Sequence, residues 1–474
     1  MPIPNSCNGF NISNQIFSRS GGLTAALSVR SVAATNASAR NEHVGQRESE
    51  KNQIFLEPAR AAALRIETAF ARNGINSANA ETVLFLIQLA NSTGEARYLK
   101  TASLGADYLA ATWRELVDKP DKGLFSGQSS NLALYGGLAG VAYALNETGK
   151  ATSKDKYCEA ARAATDYIVR AAKAVGSGLA WSDAPGIAGD GSIVLYLLYA
   201  AREFECALYR ITAERAGDHI LEIASNERFG GFSWSGFPAF PGLPKDAYLP
   251  AFEDGTAGIV YVFARLYSET KKARFLFAAN QGASHLQRVA TDSSKVDPIS
   301  HPLSDLPDLH YAGFCHGPTG TARAFFELYK ITREPVYQIW AEQIAQKVLK
   351  SDTPENLTQN AWNVVCQCCG SPAVIDLFID MWAFSRRLDY LSTAQRAASH
   401  LVSEETNSDG KSTQQFQTLA YVDQREIGAE TDYLVGPLGV GSALLRLHLA
   451  ARGEYVSVHF PDNRMANVRY ASFS

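Results

Sequence analysis

One pattern recurs along this chain and limits what it can become. A glycine, two residues and a second glycine lead into an apolar helical run, a polar turn, and an aromatic residue that opens an amphipathic helix. The glycine pairs are Gly137 with Gly140, Gly186 with Gly189, Gly255 with Gly258, Gly317 with Gly320, and Gly436 with Gly439. A sixth copy, Gly370-Ser371-Pro372-Ala373, keeps only the first glycine, and a worn copy near Asn76 to Ala80 begins the series. Spacings of roughly 50 to 70 residues between copies mark a repeat architecture. Tyr337, Ala341, Ile344 and Val348 fall on one helical face, as do Tyr157, Ala161, Ala164 and Ile168, and Tyr390, Ala394, Ala397 and Leu401. A threonine precedes the aromatic residue by five positions at Thr93, Thr270 and Thr332. Alternating strand patterns are scarce.

Each unit therefore reads as a helical hairpin, and the chain as all-α. The first helices (Val141 to Leu145, Ile259 to Leu266, Val440 to Leu447) are apolar nearly all round and must be buried, while the second helices keep a polar face. About seven such hairpins close into an α/α toroid, a double ring, because neither end shows the polar capping repeat that an open solenoid needs. Closure brings every Gly-x-x-Gly to one rim, at the N-termini of the inner helices. The toroid is expected over residues 56–474, preceded by a flexible or loosely attached extension over 1–55. That extension is rich in Ser, Ala and Asn and has no acidic residue before Glu42, a composition shared by organellar transit segments.

The charge balance, 44 basic against 48 acidic residues, offers no footprint for nucleic acid or an anionic membrane. Apolar runs such as Ile193 to Ala201 are too short to span a bilayer. Seven cysteines, an odd number, are not the framework of a secreted disulfide scaffold, so a reducing, cytoplasmic setting is expected. Cys158 and Cys206 read as core residues.

The chemistry-bearing signal is that three cysteines fall in register on two neighbouring copies of the repeat: Phe314-Cys315-His316-Gly317 and Cys366-Gln367-Cys368-Cys369-Gly370. Thiolates at helix N-termini are stabilised by the dipole and by free backbone N–H groups. Three of them with a vacant fourth position describe a catalytic zinc site, with Cys315, Cys368 and Cys369 as ligands and Cys366 as a packed thiol or reserve ligand. A cysteine nucleophile with His316 as base, and simple thiol packing, are the competing readings.

These motifs, in this order, resemble the lanthionine synthetase cyclase family, including its relatives that act on glutathione. The family's penultimate repeats read Trp-Cys-x-Gly-x-x-Gly and Cys-His-Gly-x-x-Gly. Here Cys315 matches the first cysteine, and Cys368-Cys369-Gly370 matches the second motif with Cys in place of His. The similarity runs over roughly 56 to 450. It implies Zn2+ as cofactor and a dehydrated, cysteine-containing peptide as substrate, whose thiolate adds to dehydroalanine or dehydrobutyrine to give a thioether. It also implies a dehydratase partner. Addition of glutathione to dehydroamino acids, and a non-catalytic binding protein that kept the ring, are the alternatives.

Two departures matter. Where the family's middle repeat carries His-Gly, this chain has Asp254-Gly255; Asp254 is either a proton donor or a helix cap. The arginine four residues before the first metal cysteine is replaced by Tyr311, leaving His310 and His316 to handle the proton, with His316 preferred. Asp183, three residues before Gly186, lies near the place of a family aspartate. Catalytic candidates are thus His316, Asp254 and Asp183. The aromatic stretch Phe229 to Phe252 is expected to form a lid or peptide wall, and Asp292 to His310 is a second long loop.

Overall fold

A computed structural model describes residues 54–75, 78–117, 131–227, 230–234, 249–291, 313–350, 366–368, 370–407, 433–434 and 436–454. The elements below belong to the unit Phe55–Ser474. Among the described residues it contains fourteen helices: α1 (Leu56–Asn73), α2 (Ala80–Thr93), α3 (Ala96–Val117), α4 (Leu138–Thr152), α5 (Asp155–Ala171), α6 (Asp190–Glu203), α7 (Ala207–Glu222), α8 (Thr256–Thr270), α9 (Ala273–Thr291), α10 (Pro318–Thr332), α11 (Pro335–Lys350), α12 (Ser371–Ser385), α13 (Leu388–Asn407) and α14 (Pro437–Ala451). Two short antiparallel hairpins interrupt them, β1 (Lys173–Val175) with β2 (Gly178–Ala180) and β3 (Ser225–Asn226) with β4 (Phe232–Ser233).

Helices α2 to α13 form six sequential hairpins. The inner helices α2, α4, α6, α8, α10, α12 and α14 each pack on the next, and α14 packs back on α2, so the inner ring closes. The seventh hairpin joins the two ends of the domain, because the outer partner of α14 is α1, the first helix. An inner helix alone at the C-terminus would expose its outward face; α1 covers it, and no capping repeat is required.

Local chemistry explains each hairpin. The turn threonines close the inner helix: Thr93, Thr270 and Thr332 donate their hydroxyls to the carbonyl four residues back and accept the N–H two residues ahead. The aromatic residue that follows is buried in every outer helix from α3 to α13: Tyr98, Tyr157, Tyr209, Phe275, Tyr337 and Tyr390. Each such ring contributes about 2 kcal/mol by leaving water. Cys206, at the N-cap of α7, is buried as expected but is disulfide-bonded.

The inner helices are buried along almost their whole length, yet they are not apolar throughout. Ten residues beyond each N-cap stand Glu147, Tyr199, Arg265, Glu327, Asp380 and Arg446, with Leu89 completing the ring on α2. All six polar members bond in neighbouring pairs: Tyr199 with Glu147, Arg265 with Glu327 at 3.7 Å, and Arg446 with Asp380 at 2.7 Å. A buried charge must find a partner, and each partner sits at the same level of the next helix.

Candidate metal centre

The geometry of the rim begins with its glycines. Gly137, Gly255, Gly317, Gly370 and Gly436 are the N-caps of α4, α8, α10, α12 and α14, each with extended φ and no side-chain cap. The preceding loop supplies carbonyls instead: Leu138 N–H donates to Asn131 O and Thr256 N–H to Leu249 O, both at 2.8 Å. That wrapping presses backbone against helix at the second glycine. A Cβ on Gly140, Gly258, Gly320 or Gly439 would collide with the carbonyl oxygen six residues earlier, on Leu134, Phe252, Phe314 or Tyr433.

Fixing that carbonyl aims the two residues before the N-cap. The loops are also bonded to one another round the rim. Cys368 N–H donates to Leu434 O at 2.8 Å, and Phe314 and Cys315 N–H donate to Cys368 O at 2.7 and 3.1 Å. Phe252 and Glu253 N–H donate to Cys315 O at 2.9 and 3.0 Å, and Ala188 N–H donates to Glu253 O at 3.1 Å. Two residues before their N-caps, Glu253, Cys315 and Cys368 are therefore joined backbone to backbone. Directly after each of them come Asp254, His316 and Cys369.

Their side chains meet in one buried cluster. Ligand atoms of Glu253, Cys315 and His316 lie within 4.8 Å of one another, and Cys368 Sγ is 3.9 Å from Glu253 Oε2. His316 Nε2 lies 3.2 Å from Asp254 Oδ2. All five residues are less than 9% exposed. Neither Cys315 nor Cys368 is disulfide-bonded. Two thiols, an imidazole and a carboxylate, gathered at the N-termini of three buried helices, form a donor set that fits zinc.

Of the expected site residues, Cys315, Cys368, His316 and Asp254 come together. Cys369 lies outside the described residues, as do His310, Tyr311, residues 292–312 and most of the aromatic stretch 229–252. Asp254 does not cap α8, whose N-cap is Gly255; its carboxylate faces His316. Asp183 is exposed, and the buried carboxylate of its repeat is Asp190. Asp190 accepts the N–H groups of Trp181 and Ser182 and the Ser182 hydroxyl, and burial pushes its pKa up to about 6. Glu253 is the residue the motif reading passed over. Its signal was register, since it holds the place that Cys315 and Cys368 hold in the next two repeats.

Beside the cluster, the inner helices leave a small, partly open pocket lined in part by Thr319, Arg323, Gln367, Asp376, Asp380 and Tyr433. Thr319 Oγ1 and Gln367 Oε1 are buried there without a hydrogen-bond partner among the described residues. Gln367 donates its amide N–H to Asp376 at 2.7 Å, and Asp376 in turn is held by Arg446.

Residues 72–449 match the family described as lanthionine synthetase C-like protein. The chain belongs to that family. Among solved structures it is similar to a nisin cyclase, at 13% identity and a TM-score of 0.55, over 78% of this chain and 87% of that one. An inactive variant of the α-1,6-mannanase GH76A of Salegentibacter sp. HEL1_6 aligns with 16% identity and a TM-score of 0.39, over 65% of this chain and 90% of that one. An unsaturated glucuronyl hydrolase specific for heparin aligns with 14% identity and a TM-score of 0.41, over 65% and 86%. No curated protein matches in sequence. The nisin cyclase likeness is one of fold, a lanthionine synthetase C-like helical toroid. No helix among the described residues is long and apolar enough to cross a membrane.

Proposed function

We propose that this lanthionine synthetase C-like protein is a zinc-dependent cyclase that joins a peptide cysteine to dehydroalanine or dehydrobutyrine through a thioether. The observation that carries the reading is the convergence of Cys315 and Cys368 with His316 and two carboxylates on one rim. Cys315, Cys368 and Cys369 would hold the ion. Bound zinc supplies Lewis acidity that strips the proton from a substrate thiol.

The chain's own residues do the rest. Burial of the cluster excludes water, which protects the thiolate from reprotonation. When the sulfur bonds to the β-carbon, the electron pair of the double bond passes to the α-carbon and its carbonyl, and a proton must arrive at that carbon. His316 is the donor, held at Nε2 by Asp254. In the adjoining pocket Thr319 and Gln367 present polar atoms without a partner among the described residues, which could hydrogen-bond a peptide group at its mouth. A dehydratase must supply the dehydrated residue.

The test uses purified protein analysed for metal and incubated with a dehydrated, cysteine-containing peptide. Cyclisation leaves the mass unchanged, so it is read as loss of the thiol that N-ethylmaleimide labels. Stoichiometric zinc and loss of labelling support the reading; Cys315→Ala should abolish both, and wild-type levels of both in that variant would refute it. Adduct formation only when glutathione is added would assign the thiol to glutathione instead.

A further inference from the structure

We propose that Glu253 is the fourth ligand of the resting metal centre, the one that an incoming thiol replaces. The inference rests on the cyclase reading and adds to it a residue that no cysteine motif points to. Three observations carry it. Glu253 occupies the register of the two metal cysteines, two residues before an N-cap glycine, in the repeat that precedes theirs. In the corresponding places of the flanking repeats stand Tyr135, Ile187 and Leu434, which cannot serve as strong ligands. The backbone then ties these places together, since Glu253 N–H donates to Cys315 O and Cys315 N–H donates to Cys368 O.

Side-chain geometry agrees. The Glu253 carboxylate lies 3.9 Å from Cys368 Sγ and within 4.8 Å of Cys315 Sγ. Edges of a tetrahedral zinc site with sulfur and oxygen ligands are about 3.3–3.8 Å, so the two edges that Glu253 makes with these sulfurs need shorten by no more than about 1.5 Å. Glu253 is 4% exposed, and the Cys368 thiol donates to its carboxylate at 3.9 Å, the contact that a shared cation would replace. His316 shares the cluster, but its Nε2 faces Asp254.

The carboxylate is also the ligand suited to leave. Three thiolates and a carboxylate give a divalent ion a net charge of −2. The hard oxygen is the weakest donor of the four on a site already rich in sulfur. An incoming thiol would form its sulfur–metal bond as the oxygen–metal bond breaks, and its proton would pass to the released Glu253 carboxylate.

The experiment replaces zinc by Co2+ in the full chain and follows the visible d–d bands and the near-ultraviolet sulfur-to-cobalt charge-transfer band. Glu253→Gln should change the d–d bands of the resting protein and lower Co2+ affinity about 10-fold or more in chelator competition. On saturation with 2-mercaptoethanol the wild-type and variant spectra should converge, because the same sulfur then fills the position. Superimposable resting spectra, or spectra that stay different after thiol saturation, overturn the assignment of Glu253 alone. A wild-type protein that holds no Co2+ overturns the cyclase reading with it. Circular dichroism establishes that the variant is folded; should it not be, Glu253→Asp, which keeps the charge and shortens the reach, must shift the resting bands for the proposal to stand.

Discussion

His316 Nε2 lies 3.2 Å from Asp254 Oδ2, across the gap between two hairpins of the ring. Both groups precede an N-cap glycine directly, Gly255 in one repeat and Gly317 in the next, so the repeat geometry itself sets the pair. A carboxylate on one imidazole nitrogen fixes the tautomer and leaves the other nitrogen to act. In the proposed reaction Asp254 would act through the histidine, which the aspartate's own place in the motif does not reveal.

The proposed mechanism therefore casts Asp254 as a positioning residue. Asp254→Asn should lower kcat for thioether formation about 10- to 100-fold with bound zinc retained. His316→Gln should cost at least as much, and the double variant no more than His316→Gln alone, since two residues acting as one unit are not additive. Single-turnover rates with parallel metal analysis check this. Additive losses would mean that the two side chains act separately.

How much of this was open to sequence reasoning follows from range. The hairpins were legible because glycine, threonine and aromatic positions act within a few residues of one another. The ring closure was legible in kind, but not the pairing of α14 with α1, which joins residues at opposite ends of the domain. The belt of Glu147, Arg265, Glu327, Asp380 and Arg446 was hidden because a lone charge in an apolar helix declares nothing about the neighbour that neutralises it. Cysteine spelling drew attention to Cys315 and Cys368, and Glu253 was missed because an acid beside Asp254 looks like ordinary loop chemistry. The bonds between adjacent loops bring it beside Cys315 and Cys368, whose register it shares.

The belt predicts where the fold is most easily broken. Arg446 is 1% exposed and joins Asp376 and Asp380 on the neighbouring helix. Burial keeps the Asp376 carboxyl above its ordinary pKa even with Arg446 beside it. Arg446→Met leaves two buried carboxylates without their cation and should destabilise by about 3–5 kcal/mol. Adding Asp376→Leu and Asp380→Leu should recover most of that loss. Urea unfolding of the three proteins decides it, and a triple variant as weak as the single one would show that packing, not charge, is at fault.

Asp190 gives a pH dependence with a definite sign. Its pKa is about 6 in the folded protein against an ordinary value of 3.8, so the folded state binds the proton more tightly than the unfolded chain. The stabilisation this provides is complete below pH 4 and is lost as pH rises through 6, a change of roughly 3 kcal/mol. Asp190→Asn should remove that slope from a plot of unfolding free energy between pH 4 and 7. Because the asparagine keeps one acceptor for the Trp181 and Ser182 donors, its fold should survive. An unchanged slope would place the proton elsewhere.

The rim glycines allow a sharper comparison, because the α12 repeat keeps the first glycine and does without the second. Ala373 stands there in α12, buried, whereas a Cβ on Gly258 would drive into the Phe252 carbonyl. Moving that carbonyl shifts Phe252 and Glu253, whose N–H groups hold Cys315 O. Gly258→Ala should therefore cost about 1–3 kcal/mol in stability and also weaken metal retention, through the displaced loop. Ala373→Gly should cost no more than about 1 kcal/mol, the usual helix penalty, and leave metal content alone. Chemical denaturation and zinc analysis of both variants check the pair; a Gly258→Ala protein that loses stability yet holds zinc normally would separate the rim backbone from the metal centre.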